Sequence, residues 1–260
     1  MSEPKILTID IETAPIEAYV WGIHDQNISL AQVKKDWFIL AFGAKWLDES
    51  DVMYFDNSKA RRIDDDRRLV KEMWKLLDKA DIVVTQNGDS FDFKKFNARA
   101  VIHGLNPPSY YRSTDVYKES KNVFGFTSQS LDYTSKVLKQ KYKKLPHKQF
   151  PGWSLWTECL KRNQGAWKEM KEYNIYDVLS TDEKLSRIYS WIKTANMATF
   201  YDDAKLRCFC GSQNIFKKGF VYTDSGKFQG YKCKDCGKRP HGRINLLSKE
   251  KKASLLKRSK

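Results

Sequence analysis

Asp10 and Glu12 stand two residues apart in Lys5-Ile6-Leu7-Thr8-Ile9-Asp10-Ile11-Glu12-Thr13, whose β-branched alternation predicts a strand that stops at Pro15. Side chains two apart on a strand leave the same face, so the carboxylates are neighbours. Alone, the pair reads first as solvent-facing positions of an alternating strand. Ile9 and Ile11, however, claim the opposite face for a core, and a helical layer must also cover this one. Carboxylates under such a layer need a partner, and a divalent cation is the most effective.

Two later segments carry further acidic groups. Asn87-Gly88-Asp89-Ser90-Phe91-Asp92 closes the short apolar run Ile82-Val83-Val84-Thr85 and opens a helix. By itself it is equally an Asn-Gly turn with an Asp cap. In Tyr173-Asn174-Ile175-Tyr176-Asp177, Tyr173 and Asp177 are four apart and share one helix face. Each segment is ordinary alone; the three in this order are specific.

A different chemistry sits near the end. Cys208-x-Cys210 and Cys233-x2-Cys236 bring four thiols together in two knuckles, each followed by glycine (Gly211, Gly237). Four thiolates suit one tetrahedral Zn²⁺, and the first knuckle is one residue shorter than the usual spacing. Free thiols or a redox pair are the alternatives, as is His241 replacing one cysteine. Lys217, Lys218, Lys232, Lys234, Lys238 and Arg239 interleave with Phe216, Phe220, Tyr222, Phe228 and Tyr231, a pattern that suits stacking and phosphate contact as well as a small aromatic core.

The elements that must position these groups follow from periodicity. Strands are predicted over 37–47 and 52–55 as an antiparallel meander, then a helix to residue 80 opened by Asp64-Asp65-Asp66 as N-terminal capping charge. A buried strand at 82–85, a helix over 91–103 and a parallel strand at 111–116 come next. Helices are expected over 130–140, 154–160 and 166–192, with a basic loop at 139–148. Trp153 to Trp156 reads as a packing anchor and Cys159 as a small core residue. The result is a mixed five-stranded sheet flanked by helices, with domains at 1–200 and 201–247 and a frayed basic tail at 248–260.

Asp10-Ile11-Glu12-Thr13, Asn87 to Asp92 and Tyr173 to Asp177 resemble the three motifs of the DEDD 3′–5′ exonucleases, in the tyrosine-bearing branch that includes family B DNA polymerase proofreading domains. The likeness spans roughly residues 5–190. It implies an RNase H-like fold and a two-metal hydrolysis of phosphodiesters with Mg²⁺ or Mn²⁺, in which Asp10 bridges both ions, Glu12 and Asp177 complete one and Asp92 serves the other. It also implies that Tyr173 orients the attacking water and that Thr13, Asn87 and Phe91 touch the terminal nucleotides; Phe91 reads equally as the anchor of its own helix. Cys208 to Arg239 resembles the zinc ribbons of transposase N-termini.

Composition agrees with a polyanionic partner. The chain has 260 residues with 47 Lys+Arg against 32 Asp+Glu, and residues 201–260 hold 16 of the former and 5 of the latter. No apolar run approaches a membrane span, and Met1-Ser2-Glu3-Pro4-Lys5 has no leader pattern, so a cytoplasmic chain is expected. The expected function is 3′–5′ exonuclease action on single-stranded 3′ ends, DNA favoured and RNA the alternative, aided by the ribbon and by a polymerase or repair partner in trans. The competing reading is a nucleic-acid-binding factor on an inactive nuclease fold.

Overall fold

In the computed structural model, which describes residues 3–146 and 149–256, the chain divides into a first unit, Lys5–Arg187, and a second that begins at Ile188. The expected boundary at 200/201 lies too far along. Lys238 Nζ donates to Ile192 O at 2.6 Å and Met197 N to Phe209 O at 2.7 Å, which ties 188–200 to the cysteine-bearing segment. Met1-Ser2, the end of the basic loop at His147-Lys148 and the last four tail residues lie outside the described residues. No described helix is long and apolar enough to cross a membrane.

The first unit opens with β1 (Ile6–Thr13), a small pair β2 (Glu17–Ala18) and β3 (Val33–Lys35), then β4 (Ile39–Trp46) and β5 (Met53–Asp56). Next come α1 (Arg67–Lys79), β6 (Ile82–Thr85), α2 (Asp92–Ile102) and β7 (Arg112–Asp115). Four helices follow: α3 (Val116–Val123), α4 (Leu131–Val137), α5 (Ser154–Leu160) and α6 (Gln164–Ile188). The sheet order is β5-β4-β1-β6-β7, with β1–β4 and β4–β5 antiparallel and β1–β6 and β6–β7 parallel. This is the expected mixed five-stranded sheet. The β2–β3 pair was not expected, and α3 starts where Asp115 accepts hydrogen bonds from Tyr117 N and Lys118 N.

Strand alternation sorts the two faces. Leu7, Ile9 and Ile11 of β1 join Phe42 and Ala44 of β4 in a core with Leu69, Val70, Met73 and Leu77 of α1 and Phe93, Phe96 and Ala100 of α2. On the other face, Ala41 packs with Leu155 and Cys159 of α5 and with Ala166, Trp167 and Met170 of α6. Thr8, Asp10 and Glu12 pair in register with Lys45, Gly43 and Ala41, so they lie on this second face.

In the second unit β8 (Ile215–Thr223) and β9 (Gly226–Cys233) form an antiparallel hairpin. The tail, expected to fray, forms a short α7 (Lys249–Ala253) capped by Ser248, whose hydroxyl accepts from Lys251 N.

Of the acidic triplet, Asp65 does serve the start of α1, its Oδ1 accepting from Arg67 N at 3.2 Å, but Asp66 does not act as read from the sequence. Asp66 precedes α1 but its side chain makes no cap hydrogen bond. It is fully buried, accepting Arg99 Nε at 2.7 Å and Nη2 at 2.6 Å and Ile39 N at 2.8 Å, with His103 Nε2 2.6 Å away. Asp66 thus joins α1, α2 and the start of β4 through one carboxylate. A lost cap costs about 1 kcal/mol, whereas stripping one partner from a buried ion pair costs about 3–5 kcal/mol. Urea unfolding of Asp66→Ala should show the larger loss. A loss near the smaller figure would return Asp66 to a capping role.

Candidate metal-binding active site

Asp10 and Glu12 reach the site because β1 runs on past its neighbour. β6 pairs with β1 only over Ile6–Thr8, and beyond it Ile11 N donates to Asp92 Oδ1 at 3.0 Å. Asp92 is the first residue of α2, so this bond sets the start of the helix against the end of the strand. The turn before it is held separately: Asn87 N and Asp89 N donate to Asp115 at 2.9 and 3.2 Å.

The fourth carboxylate arrives on α6. Asn174 Nδ2 donates to Asp10 Oδ2 at 2.8 Å and to Asp10 O at 3.2 Å. Its neighbour Tyr173 and, one turn on, Asp177 are buried against the same end of the sheet. Carboxylate oxygens of Asp10, Glu12 and Asp177 all lie within 4.8 Å of one another. Asp92 stands outside that trio, but its charge raises both Asp10 and Glu12.

Electrostatics show how ill-suited the group is to standing alone. Burial, then Asp177, Asp92 and Glu12, hold the Asp10 carboxyl well above its usual range, with Lys144 pulling down. Glu12 is pushed to about 8 by burial and Asp177, against Lys144 and a hydrogen bond from Trp156. Asp92 rises to about 7 through burial, against the Ile11 N–H. Burial and Asp177 also raise Tyr173, so its phenol stays protonated at neutral pH. Lys144 Nζ lies 2.7 Å from Asp177 Oδ2 and 4.5 Å from the centre of the Tyr173 ring. Clustered, mostly buried carboxylate oxygens are the donor set that hard divalent cations take, so the residues fit such a metal.

Lys144, Asn174 and Trp156 were not assigned to the site from sequence. Asn174 lies between Tyr173 and Asp177 and Lys144 in the basic loop, but neither position signals its target. Trp156, read as a packing anchor, donates its indole N–H to Glu12 Oε2 at 3.1 Å. Thr13 ends β1 half-buried, Asn87 is exposed with φ of 72°, and Phe91 is 38% exposed with Lys95 Nζ 5.7 Å from its ring centre. None of the three bonds to the carboxylates in any described contact.

In the second unit the four cysteine sulfurs also lie within 4.8 Å of one another. Cys208 Sγ is 3.6 Å from Cys236 Sγ, and Cys210 Sγ is 3.8 Å from Cys233 Sγ. Gly211 and Gly237 take φ of 84° and 76°, which L side chains adopt only with strain, so each knuckle needs its glycine. Burial raises Cys208, Cys210 and Cys236 to about 11, while at Cys233 the backbone N–H groups of Cys236 and Asp235 outweigh burial and lower it to about 7. Thiols so gathered fit a soft tetrahedral cation. Lys217, Lys218, Lys232, Lys234 and Arg239 are exposed. Lys238 is a correction: it is buried, its ammonium on Ile192 O and 4.5 Å from the Tyr189 ring centre, so it is turned away from any ligand in solvent.

The family model RNase_H_2, of the RNase_H superfamily, matches residues 8–192. No curated protein matches the chain. Among solved structures, the family B DNA polymerase from the hyperthermophilic archaeon Pyrobaculum calidifontis is similar at a TM-score of 0.49 and 13% identity, over 71% of this chain and 25% of that one. The chain therefore spans about a quarter of that polymerase's length.

The raised carboxyl groups make stability depend on pH in a definite direction. Glu12 moves from 4.5 to about 8 on folding, so the folded chain holds a proton that the unfolded chain has released across that window. Stability in a chelator must then fall as pH rises from 5 to 8. At about 2–4 °C per kcal/mol for a chain of this size, Tm should drop by roughly 5 °C or more. Glu12→Gln should flatten the slope, and Mn²⁺ should restore the parent at pH 8. A parent and Glu12→Gln pair with equal slopes in thermal scans would contradict the assignment.

Proposed function

The chain belongs to the RNase H superfamily, and from that footing we propose that it is a metal-dependent 3′–5′ exonuclease of the tyrosine-bearing DEDD branch. The observation that carries the reading is the meeting of Asp10 and Glu12 from β1 with Tyr173 and Asp177 from one face of α6. Asp10, Glu12, Asp92 and Asp177 would hold two divalent ions, Mg²⁺ or Mn²⁺, with Asp10 shared. When bound, such ions supply an activated water and neutralise charge on the attacking and leaving oxygens.

The remaining work falls to the chain itself. Tyr173 keeps its proton, so its hydroxyl orients water rather than acting as a base. Lys144 adds a cation beside Asp177, where it offsets part of the negative charge of the carboxylates and of an incoming phosphate. Thr13, Asn87 and Phe91 are proposed contacts for the terminal nucleotides, Phe91 through its exposed ring. The substrate is a single strand with a free 3′ end, DNA favoured over RNA. A polymerase or repair factor in trans is the proposed associate.

The four cysteines are proposed to hold one structural Zn²⁺ in a ribbon. Its exposed Lys217, Lys218, Lys232, Lys234 and Arg239 would contact phosphates; Lys238 drops out of that set. Reduced, metal-spaced cysteines suit an intracellular compartment. The alternative of a binding factor on a dead nuclease fold is disfavoured because all four carboxylates and the tyrosine are present.

End-labelled single strands of DNA and RNA with Mg²⁺ or Mn²⁺ test the proposal. The expected product is a ladder shortening from the 3′ end, nearly abolished by Asp10→Ala or Asp177→Ala and slowed about 10²-fold by Tyr173→Phe. Asp10→Ala digesting at the parent rate would end the metal-nuclease reading. For the ribbon, elemental analysis should find about one zinc per chain. The Cys233→Ser, Cys236→Ser double variant should lose it while cooperative unfolding of the first unit persists; unchanged zinc would exclude the site.

A further inference from the structure

One side chain touches both a strand carboxylate, Glu12, and the helix tyrosine without itself being able to bind a metal. Trp156 sits on α5, whose Leu155 and Cys159 are buried in the core. Its indole Nε1 donates to Glu12 Oε2 at 3.1 Å, and its ring meets Tyr173 edge-on, centroids 6.1 Å apart at 81°.

We propose that Trp156 is a positioning residue for the nuclease site, fixing the rotation of the Glu12 carboxylate and the attitude of the Tyr173 ring. The inference rests on the metal reading above. Glu12 has three rotatable bonds and is crowded by Asp10 and Asp177, so repulsion alone would swing it outward. An indole N–H is donor only: it can hold a carboxylate oxygen but cannot replace it as a ligand or take its place in the cluster. It adds no charge, unlike Lys144, so it leaves the negative charge of the cluster intact for a cation. By taking one oxygen it sets the direction of the other. The edge contact uses the positive rim of one ring against the negative face of its neighbour, a geometry that fixes orientation as well as distance. α5 thereby acts on Glu12 and on Tyr173 through a single ring.

Calorimetric titration with Mn²⁺ separates this role from simple packing. Trp156→Phe keeps an aromatic ring near Tyr173 and removes the N–H. Its Mn²⁺ affinity should fall about 10-fold, the lower end for loss of a group that orients a metal ligand. In a Glu12→Ala background the same change should cost nothing further, because the acceptor it acts through is gone. On single strands, kcat should fall with KM unchanged. 3-Benzothienylalanine at position 156, which keeps the fused ring and removes only the N–H, should lose as much Mn²⁺ affinity as the Phe variant, and it serves if the Phe variant fails to fold. Equal losses in both backgrounds, no loss in either, or a benzothienylalanine variant with parent affinity would overturn the proposal while the metal site stands. A parent chain that binds no Mn²⁺ would remove both.

Discussion

The first unit depends on how closely α6 can lie on β4, and Gly43 sets that distance. A Cβ there would come within 2.5 Å of Asn174 Oδ1 and 3.0 Å of Val178 Cγ2, so any side chain would have to displace the Asn174 amide that holds Asp10 or shift the helix. With the helix seated, its residues track β1 in reverse. Asn174 bonds to Asp10, and Asp182, two turns on, pairs with Lys45 Nζ at 2.8 Å and takes the Thr8 hydroxyl. Lys184 Nζ then reaches Gln86 Oε1 at 3.1 Å, beyond the end of β6. These polar contacts fix both the height and the rotation of α6. Asp177 cannot then face anywhere but the carboxylates of β1.

That arrangement has an electrostatic cost which the fold meets only in part. Gathered carboxylates repel, and each ion taken from water costs several kcal/mol even after relaxation. Away from the centre the same helix balances its charges, as Asp182 with Lys45 shows. At the centre the main compensation is Lys144 on Asp177. Two features deliver it: Lys141 N and Tyr142 N both donate to Glu183 at 3.0 Å, and Ser180 donates to Gln140 Oε1 at 3.1 Å. The basic loop is thus pinned to α6 one to two turns beyond Asp177, which is why one lysine of several reaches the site. A cluster left short of positive charge, with its carboxyl groups driven upward, has the electrostatic character of a place built for cations.

What sequence could reveal divides along the range of the interaction. Alternation in β1 and the four-residue step from Tyr173 to Asp177 are local, and both placed their residues on the faces the structure uses. The strand–turn–helix unit around Asn87 to Asp92 was legible for the same reason. Asp66 was misread because a helix start explains an acidic residue locally, while Arg99, His103 and Ile39 are far away in the chain. Trp156, Lys144 and Asn174 met the same obstacle: each acts through a partner more than thirty residues distant, and no periodicity encodes that pairing. Lys238 shows the reverse case, a lysine amid exposed lysines whose burial depends on Ile192 and Tyr189.

The second unit carries the logic of compensation further, because it has little else to hold it. Among its described residues the buried apolar side chains are Ile188, Ile192, Ala195, Cys208, Cys233 and Pro240, so two of the six are cysteines. β8 is exposed or half-buried along its whole length. A core that small cannot offset the chain entropy of ordering a segment of this size, and small units in that position rely on cross-links. The four sulfurs lie where a cross-link would act, joining the start of the segment at Cys208 to the end of β9 and the turn beyond. Glycines at positive φ shape both knuckles, and backbone N–H groups already favour the thiolate at Cys233. Removing the cluster would leave the hairpin its ladder of hydrogen bonds and almost no buried surface, which is marginal in water for an isolated pair of strands. In the first unit, burial builds the site and the charges must be balanced afterwards; in the second, the cysteine cluster is itself part of the small core.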